Sequence, residues 1–375
     1  MTELDKKFRQ EYYDLSAKYE AECNRIDEEI AKLFEERMIA ARQIAEYKKE
    51  NGLPITDASR ELELINKNSK FVTDEVIREY YVNFIQETMN ISKKYQSRIL
   101  NGMKVAYSGV RGAFAYIAAT KMFPSAEYIS YADFADAYKA VENGECDACV
   151  LPLENSYAGD VGVVMDLMFS GNLYLNQLIE LEVVQNLVAK KGTEKRQIKK
   201  VISHQQALSQ CSEYIKQHGF IEEEASNTAV AAKLVAESSD ESIAAIASSD
   251  TSNIYDLEII EANINSSFNN TTRFGAFTKC LNDYKTTDKM GEHFILVFTV
   301  KNEAGALAKT LNIIGSHGFN MRSLRSKPMK GLIWNYYFYA ELEGNIYSKD
   351  GQEMLRALQV FCDKLKIVGN YTLNN

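Results

Sequence analysis

The stretch that decides the fold of the middle of this chain is KVAYSGVRGAFAYIAATKMF, residues 104–123. Its first part, KVAYSG at 104–109, has the apolar run of a buried strand, and GAFAYIAATKMF at 112–123 has the pattern of a helix. The two parts meet at Gly109 and Gly112, where a tight turn or a backbone site for an anion is equally compatible with the residues. A strand followed at once by a helix is the repeating unit of α/β folds.

The same alternation continues along residues 104–280. Further strands are predicted at ACVLPLEN (148–155), KKVISH (199–204) and SIAAIAS (242–248), and further helices at QQALSQCSEYIKQ (205–217) and NTAVAAKLVAE (227–237). The pattern predicts an α/β domain with a largely parallel sheet. Ligands of such sheets bind beyond the carboxyl ends of the strands, so the loops that follow the strands are the candidate site.

Residues 1–100 have a different, almost purely helical pattern, which NGLPI at 51–55 interrupts once. We predict three helices, of which the first is very long. One stripe at helical spacing carries Ile26, Ile30, Leu33, Phe34 and Arg37. A long, thin helix buries little surface by itself, so we expect the helical segment to interlock with a second copy, as a homodimer or a dimer of dimers.

Residues 292–375 form a third segment behind a polar linker, CLNDYKTTDKMGEH at 280–293. The strand and helix patterns follow the order βαββαβ, which predicts a ferredoxin-like domain. We therefore expect three domains, at 1–100, 104–280 and 292–375.

Composition and charge exclude several classes of function. The chain has 375 residues, 46% of them hydrophobic, a net charge of −9 and six cysteines. A net negative charge argues against nucleic acid as a partner, and no run is long enough to span a membrane. The amino terminus lacks the pattern of a signal peptide, so we expect a cytoplasmic protein with reduced thiols. Cys146 and Cys149 form a CxxC without the second ligand pair that a metal site needs.

Polar side chains of the helical segment recur at spacings that place them on shared faces. Arg37 and Lys48 are about three helical turns apart. The other members of this set are Asp57, Arg60 and Glu61 on the second helix, and Ser92 and Gln96 on the third. Solvated helix faces would also show these spacings. Arg37, however, lies within the apolar stripe, and a buried cation must be paired or must bind an anion.

These residues carry a resemblance to a known family. RIDEEIAKLFEERMIAARQIAEYK, followed by GLPITDASRE and by Ser92 and Gln96, resembles the all-helical chorismate mutases. The resemblance implies an interlocked helical dimer that rearranges chorismate to prephenate without an acid, a base or a covalent step. It assigns chorismate binding to Arg37, Lys48, Asp57, Arg60, Glu61, Ser92 and Gln96. Glu20 departs from the family, which has at that position an Arg that reaches across the dimer.

The α/β segment has polar residues in the loops after its strands, among them Asn155, Ser203 and Gln210, and it ends in NNTTRFGAF at 269–277. Turn formation and helix capping are the simplest explanations for such residues taken singly. His204 follows Ser203, but the nucleophile-elbow pattern of a hydrolase is absent.

Taken in order, GVRGAF, LPLENS, SHQQALSQC, SNTAVAAKLV, IAAIAS, YDLEII and NTTRF resemble the prephenate dehydratases over 104–278. The resemblance implies two α/β lobes, as in periplasmic binding proteins, with prephenate in the cleft between them. It implies loss of CO₂ and the ring hydroxyl to give phenylpyruvate, with no cofactor and no metal. Thr272 is the expected donor to the leaving hydroxyl, and Asn155, Ser203, Gln210 and Arg273 are the other expected site residues. Ala115 stands where the family usually has Ser.

The tail resembles the ACT domain that regulates these dehydratases. Gly305, Ala306 and Leu307 match its Gly-Ala-Leu motif, whereas RSKP at 325–328 differs at two positions from the family's Glu-Ser-Arg-Pro. The resemblance implies that L-phenylalanine binds as an effector, and we expect Gly305, Ala306, Leu307, Asn320 and Ser326 to contact it. A tail used only for assembly is the alternative.

In this order, the three resemblances imply one chain that converts chorismate to phenylpyruvate in L-phenylalanine biosynthesis, with feedback by the end product. Two alternatives stay open. Glu20 suggests a dehydratase with a helical domain that serves only for dimerisation. A non-catalytic amino-acid sensor is the other, and the intact NTTRF and LPLENS argue against it.

Overall fold

The computed structural model describes residues 3–266, 270–281, 292–329 and 335–372, with side chains from residue 15 onward. It divides into two compact units, Met1–Met103 and Lys104–Asn375. The division between them falls near residue 100, and the α/β segment and the tail lie together in the second unit.

The amino-terminal unit consists of the predicted three helices, α1 (Glu3–Glu50), α2 (Ala58–Asn68) and α3 (Glu75–Asn101). Aspartate side chains begin the second and third helices. Asp57 accepts a hydrogen bond from the backbone N–H of Arg60 at 3.1 Å, and Asp74 accepts from the backbone N–H groups of Val76 and Ile77 in the first turn of α3, both at 2.9 Å. Such caps satisfy N–H groups that have no partner inside the helix.

Only the carboxyl-terminal part of α1 is covered within the chain. Met38, Ala41 and Ala45 are buried, and α1 contacts α3. By contrast, the predicted apolar stripe is exposed to between 38% and 63% at Ile26, Ile30, Leu33 and Phe34. With 48 residues, α1 is about 70 Å long, whereas the 27 residues of α3 span about 40 Å. The length of α1 therefore carries its apolar stripe beyond α3.

The α/β segment contains two sheets. The first holds β1 (Lys104–Ser108), β2 (Glu127–Tyr131), β3 (Ala148–Asn155), β4 (Gly159–Asp160), β5 (Tyr174–Glu182) and β11 (Thr271–Thr278). The second holds β6 (Asn186–Ala189), β7 (Lys200–Ser203), β8 (Ile221–Glu224), β9 (Ile243–Ala247) and β10 (Glu258–Glu261). The helices are α4 (Phe114–Met122), α5 (Phe134–Asn143), α6 (Gly162–Ser170), α7 (Gln205–Gln210), α8 (Ser212–His218), α9 (Thr228–Glu237) and α10 (Ser249–Ile254).

Both sheets are mixed. Strands β2, β1 and β3 are parallel in the first sheet, and β8, β7 and β9 are parallel in the second. Antiparallel strands complete each sheet: β11 lies between β3 and β5, and β6 joins β9 to β10. The predicted parallel sheet is correct for these parallel trios, but the returning strand β11 is antiparallel to both neighbours. The predicted helix at 205–217 is divided at Cys211 into α7 and α8.

The tail has the predicted βαββαβ order. Its elements are β12 (Glu292–Val300), α11 (Ala306–Ser316), β13 (Asn320–Pro328), β14 (Tyr336–Glu343), α12 (Lys349–Phe361) and β15 (Cys362–Thr372). The strands lie in the order β13-β14-β12-β15, and every neighbouring pair is antiparallel. Most of the predicted linker, residues 282–291, lies outside the described residues.

The tail sheet continues directly into the first sheet of the α/β segment. Gly369 of β15 pairs with Leu175 of β5, so that ten strands form one sheet. A Cβ atom at Gly369 would lie 2.6 Å from the carbonyl oxygen of Leu175. The close approach of the two strands therefore requires glycine at this position. This continuous sheet is the reason why the tail is not a separate compact unit.

The two cysteines of the CxxC are core residues of the first lobe. Cys146 and Cys149 are both buried, and burial raises the pKa of the Cys149 thiol. Both pack there as small apolar side chains, and Cys149 lies on β3. Among the helices that the structure describes, none has the length and apolar character that a bilayer span requires.

Candidate active sites

The helical unit contains a pocket of about 240 Å³ that lies among its three helices. All the predicted chorismate-binding positions line it: Arg37, Lys48, Asp57, Arg60, Glu61, Ser92 and Gln96. Helical periodicity is sufficient to bring them together, because each helix contributes residues from a single face. The structure thus places in one pocket residues that are separated by up to 59 positions in the sequence.

Two buried polar atoms of this pocket have no hydrogen-bond partner among the described residues. These are Nη1 of Arg37 and Oε1 of Gln96. Burial also lowers the pKa of the Arg37 guanidinium, because its charge has lost part of its hydration. An unsatisfied buried donor is unfavourable until an acceptor reaches it. The pocket therefore suits a ligand that offers a carboxylate to Arg37 and a hydroxyl to Gln96.

The other pocket residues are held in place by neighbours. Lys48 donates to the carbonyl oxygen of Ile55 at 2.6 Å, and Gln96 donates to Ser92 at 3.5 Å. Lys93 forms a half-buried ion pair with Glu61 at 3.0 Å and also lines the pocket. The sequence reasoning missed Lys93, whose role depends on its ion pair with Glu61 of another helix.

Glu20, the residue that departs from the mutase family, does not line this pocket. It precedes Arg37 by 17 residues on the same helix, which corresponds to about 25 Å. Glu20 is exposed and accepts a hydrogen bond from Ser16 at 3.2 Å. The departure therefore leaves the residues of this chain's own pocket intact.

The α/β segment contains a larger cleft, of about 820 Å³, lined by residues of both sheets. Of the predicted dehydratase residues, Asn155, Gln210 and Thr272 line the cleft, whereas Ser203 and Arg273 do not. Gly109 of the glycine turn and Ala115 also line it. The cleft thus combines the loop after β1, the end of β3 and the start of β11.

Thr272 and Asn155 form the polar centre of the cleft. The amide nitrogen of Asn155 donates to Oγ1 of Thr272 at 2.8 Å and to Oδ1 of Asn270 at 2.7 Å. The amide oxygen of Asn155 accepts from the backbone N–H groups of Tyr157 and Ala158. Because two N–H groups require the oxygen on that side, the amide can only donate towards Thr272. Oγ1 of Thr272 is thus an acceptor within the protein, and its own O–H stays available to a ligand.

The prediction for Ser203 is not supported by its position. Ser203 is fully buried, and its hydroxyl donates to the carbonyl oxygen of Ile246 at 2.7 Å. This bond joins β7 to β9 inside the second sheet. The residue stands at the strand end, as the sequence indicated, but its side chain stabilises the sheet and does not reach the cleft.

The side chain of Arg273 contacts the tail. Its guanidinium forms a two-point ion pair with Glu341 of β14, at 2.9 and 2.8 Å, and lies within 3.6 Å of Glu154. Glu341 is almost fully buried and also accepts from the hydroxyl of Tyr371. Burial by itself would raise the pKa of the Glu341 carboxyl. The hydrogen bonds from the Arg273 guanidinium and the Tyr371 hydroxyl outweigh this effect and hold the pKa below its usual range. Arg273 therefore joins the catalytic sheet to the tail.

We expect Glu341→Gln to lower the free energy of unfolding of this compact unit by about 1.5–3 kcal/mol. Arg273 then loses its two-point ion pair and keeps only the longer contacts to Glu154 and Glu180, both at 3.6 Å. Glu343→Gln, on the same strand, removes an exposed pairing with Arg322 at 3.7 Å and leaves an amide oxygen that can still accept from Asn320, so it should cost less than about 1 kcal/mol. Urea unfolding of both variants measures the difference. Equal midpoints would show that the Arg273–Glu341 pair does not stabilise the junction.

The sequence reasoning missed Gln185, which lies between the two sheets. It is 2% exposed and lines the cleft, and its Oε1 atom has no hydrogen-bond partner among the described residues. Its amide nitrogen lies 3.4 Å from Oε1 of Gln210. A polar amide inside the apolar run LEVVQNLVA was the available signal. Asn270 and Asp160 also line the cleft without having been predicted.

The cleft is weakly charged. Among the described residues that line it there is no Lys or Arg, and Tyr131, Asp160 and His204 are the titratable ones. Burial raises the pKa of the Asp160 carboxyl. The first residues of α4 line the cleft, and its N-cap residue, Ala113, makes no side-chain capping bond. Backbone N–H groups at the start of α4 are therefore among the donors that the cleft offers to an anion.

The predicted effector residues do not converge within one chain. Gly305, with φ +83°, Ala306 and Leu307 begin α11, at the end of the tail sheet where β13 finishes near Ser326. Asn320 begins β13, about 20 Å from Ser326 along the strand, and donates to Glu343 at 2.8 Å. One amino acid could contact both ends of the set only between two subunits.

Comparisons with known proteins agree with these two sites. Residues 105–280 match the family model of prephenate dehydratase, and residues 19–97 match that of chorismate mutase type II. The bifunctional chorismate mutase/prephenate dehydratase of Aquifex aeolicus strain VF5 is 31% identical over 359 residues, which cover 93% of this chain and 96% of that protein.

Solved structures share the fold of the larger unit. The acylase GqqA, described as a quorum-quenching enzyme, has a TM-score of 0.67 and 26% identity, over 72% of this chain and 98% of that one. The prephenate dehydratase of Arthrobacter aurescens in complex with L-Phe has a TM-score of 0.65 and 23% identity, over 72% and 90%.

A helical mutase domain followed by a dehydratase cleft defines a chain with two enzyme domains. The match to the Aquifex aeolicus protein extends over both of them. The chain belongs to the family of bifunctional chorismate mutase/prephenate dehydratases.

Proposed function

We propose that this chain catalyses two consecutive steps of L-phenylalanine biosynthesis in the cytoplasm. The helical unit rearranges chorismate to prephenate, and the α/β cleft converts prephenate to phenylpyruvate, CO₂ and water. Membership of the bifunctional family supports both activities. The observation that carries the second is the hydrogen bond from Asn155 to Thr272 in the cleft.

For the first step, the pocket of the helical unit binds chorismate in the folded conformation from which the rearrangement proceeds. Arg37 and Arg60 hold the two carboxylates, and Lys48 and Gln96 lie close to the ether oxygen, where negative charge develops. No proton transfer is needed, so the protein contributes orientation and electrostatic stabilisation. The unsatisfied Nη1 atom of Arg37 supports this role, because it is a buried donor that lacks an acceptor among the described residues.

For the second step, the bond between the ring and its carboxylate breaks, and its electron pair enters the ring as the C–O bond to the hydroxyl breaks. Thr272 donates a hydrogen bond or proton to the departing hydroxyl. The Asn155 amide donates to Oγ1 of Thr272, and this hydrogen bond polarises the Thr272 hydroxyl and fixes its position. Formation of the aromatic ring supplies the driving force, so a strong base is unnecessary.

The remaining groups of the cleft hold the substrate. The first turn of α4, without a side-chain cap, receives a carboxylate through backbone N–H groups. Gln210 and Gln185 form an amide pair on the opposite lobe, and the free Oε1 atom of Gln185 suits a hydroxyl of the substrate. In this arrangement the weakly charged lining orients prephenate mainly through neutral donors and acceptors.

We further propose that the helical unit is dimeric. The exposed side chains of Ile26, Ile30, Leu33 and Phe34 form an apolar stripe on α1 that a second α1 helix would cover. In such a dimer Glu20 of one subunit approaches the pocket of the other. A carboxylate there would weaken binding of chorismate, and this is the observation that favours the second candidate, a dehydratase with a helical unit that only dimerises.

Two assays on the purified full-length chain separate these candidates. Chorismate consumption reports the mutase, and phenylpyruvate formation from added prephenate reports the dehydratase. Both activities are expected. Turnover of prephenate without turnover of chorismate would support the second candidate, and turnover of neither would contradict the proposed function.

The tail is proposed to bind L-phenylalanine between two subunits and to inhibit the dehydratase. Asn320→Ala is expected to raise the L-phenylalanine concentration for half-maximal inhibition by about tenfold, because one hydrogen bond to a charged ligand is lost. Asn320 is exposed, so its truncation leaves no buried group unpaired. Inhibition is measured relative to the uninhibited rate of each variant, with Ser316→Ala in α11 as the control. Absence of L-phenylalanine binding by calorimetry at millimolar concentration would leave the tail an assembly domain.

A further inference from the structure

Strand β13 of the tail directs two cations towards the α/β segment. Burial alternates along this strand, so that Arg325 and Lys327 are half-buried whereas Leu324 and Ser326 are exposed. Because side chains alternate along a strand, Arg325 and Lys327 lie on one face of β13, and Leu324 and Ser326 lie on the other. Both cations contact the α/β segment, and Ser326, a proposed effector residue, lies on the other face of the same strand.

The guanidinium of Arg325 bridges two carboxylates of the hairpin formed by β3 and β4, of which Asp160 lines the cleft. One nitrogen lies 2.8 Å from Glu154 and the other lies 2.6 Å from Asp160. The guanidinium also packs 5.6 Å from the ring centre of Tyr339, and the side chain is 20% exposed. A planar group with two contacts of this length is held in a defined position.

The two carboxylates would repel each other without Arg325. Glu154 and Asp160 are directly opposite partners in the hairpin formed by β3 and β4. Like charges at such a pair destabilise it. Arg273 also approaches Glu154, at 3.6 Å, but Asp160 has no other ion pair among the described residues. Arg325 is therefore the cation that holds β4 against β3.

The same hairpin carries catalytic groups. Asn155, Gly159, Asp160 and Val161 line the cleft. Asn155 follows Glu154 directly, and its amide holds Thr272. A contact path thus runs from Arg325 through Glu154 and Asn155 to the proposed proton donor. Asp160 also brings negative charge to a cleft that must admit a dianion, and Arg325 compensates this charge.

We propose that Arg325 is a positioning residue for the dehydration of prephenate, which holds the hairpin at 154–161 in its active geometry and neutralises Asp160. The inference rests on the proposed dehydratase function.

Lys327 acts beside Arg325 on the same face. It pairs with Asp166 of α6 at 2.5 Å and donates to the carbonyl oxygen of Gly162. Gly162 begins α6, directly after the hairpin. The two cations therefore fix both ends of the segment that follows β4, so a displacement of β13 would be transmitted to the cleft wall.

The test compares kinetic constants for prephenate in full-length variants. Arg325→Ala is expected to lower dehydratase kcat/KM by at least about tenfold, chiefly through KM, because an uncompensated carboxylate repels the substrate. Arg325→Glu should lower it further, and Arg325→Lys should retain more activity than Arg325→Ala. Combining Arg325→Ala with Asp160→Asn should restore a large part of the loss in KM. A kcat/KM of Arg325→Ala within twofold of the wild type would overturn the proposal, as would the absence of any restoration.

Arg322→Ala is the matched control, because Arg322 lies on the same strand and pairs within the tail with His293 and Glu343. A second measurement does not depend on turnover. Hydrogen exchange of the Tyr157 and Ala158 amides, both bonded to Asn155, should accelerate in Arg325→Ala and stay unchanged in Arg322→Ala. Unchanged exchange in Arg325→Ala would overturn the inference. Wild-type protein that does not turn over prephenate would instead contradict the proposed function.

Discussion

Arg37→Ala is expected to lower the kcat/KM of chorismate rearrangement by about 10²–10³-fold, the usual consequence of removing one preorganised donor from a site of this kind. Dehydratase activity with added prephenate should stay at the wild-type level, because that cleft belongs to the other compact unit. Parallel assays of both reactions on one preparation of the variant measure the two effects.

The size of the effect follows from the environment of Arg37. Its Nη1 atom is buried and lacks a partner among the described residues, so this donor can bond to a ligand without losing a bond within the protein. Burial has already removed part of the hydration of the guanidinium. The interaction with a carboxylate therefore replaces lost hydration and does not compete with an existing ion pair. Alanine also cannot provide the two-point contact that fixes the carboxylate in a plane.

Arg42→Ala is the control for Arg37→Ala. Arg42 lies five residues further along the same helix, is exposed, and pairs with Glu46 at 3.0 Å. Its removal should lower the stability of the helix by about a few tenths of a kcal/mol and leave chorismate turnover within about twofold of the wild-type rate. An equal loss of mutase activity in both variants would show that α1 responds to any loss of charge, and that Arg37 has no special role.

The helical pocket could be predicted from the sequence because one rule governs it. A residue's face on a helix follows from its number, so Arg37 and Lys48 must point the same way wherever the helix lies. The long exposed stripe of α1 was also predictable in kind, since Ile30 and Leu33 recur at helical spacing on a helix too long for its neighbours to cover. Lys93 was missed because its role depends on Glu61, which is distant in sequence.

The cleft was harder to predict because the side chains of adjacent residues in a strand lie on opposite faces of the sheet. Thr272 and Arg273 are adjacent in β11, so only one of them can face the cleft, and the other must face the tail. The period of two could have excluded Arg273 as a cleft residue once β11 was recognised as a strand. Ser203 is buried by a contact with Ile246, and Gln185 lies between the sheets beside Gln210. Both positions depend on contacts between distant parts of the chain, which no local pattern contains.

The junction of the tail illustrates the same limit. The βαββαβ order was visible in the pattern, but the pairing of Gly369 with Leu175 was not. This pairing and the ion pairs of Arg273, Arg325 and Lys327 join the tail to the α/β segment. RSKP is visible in the sequence as a departure from the family motif, but no local pattern places Arg325 between Glu154 and Asp160.

Thr272→Ala is expected to lower dehydratase kcat by about 10²-fold, within the range for loss of a general acid. The structure makes this variant informative because the rest of the centre can stay in place. Asn155 retains Asn270 as an acceptor at 2.7 Å and still accepts from two backbone N–H groups, so its amide does not need to move. The loss would therefore report the missing hydroxyl and not a collapsed site.

Two neighbouring substitutions decide between a chemical and a structural role for Thr272. Thr272→Ser keeps the hydroxyl and should retain most of kcat, whereas Thr271→Ala removes the hydroxyl of the adjacent residue, which does not line the cleft, and should keep kcat within about threefold. Chorismate turnover by all three variants should equal that of the wild type. A Thr272→Ala enzyme with the wild-type dehydratase rate would remove Thr272 from the mechanism. The departing hydroxyl would then need a different donor, and Asn155, whose amide would no longer be engaged by Thr272, is the nearest one.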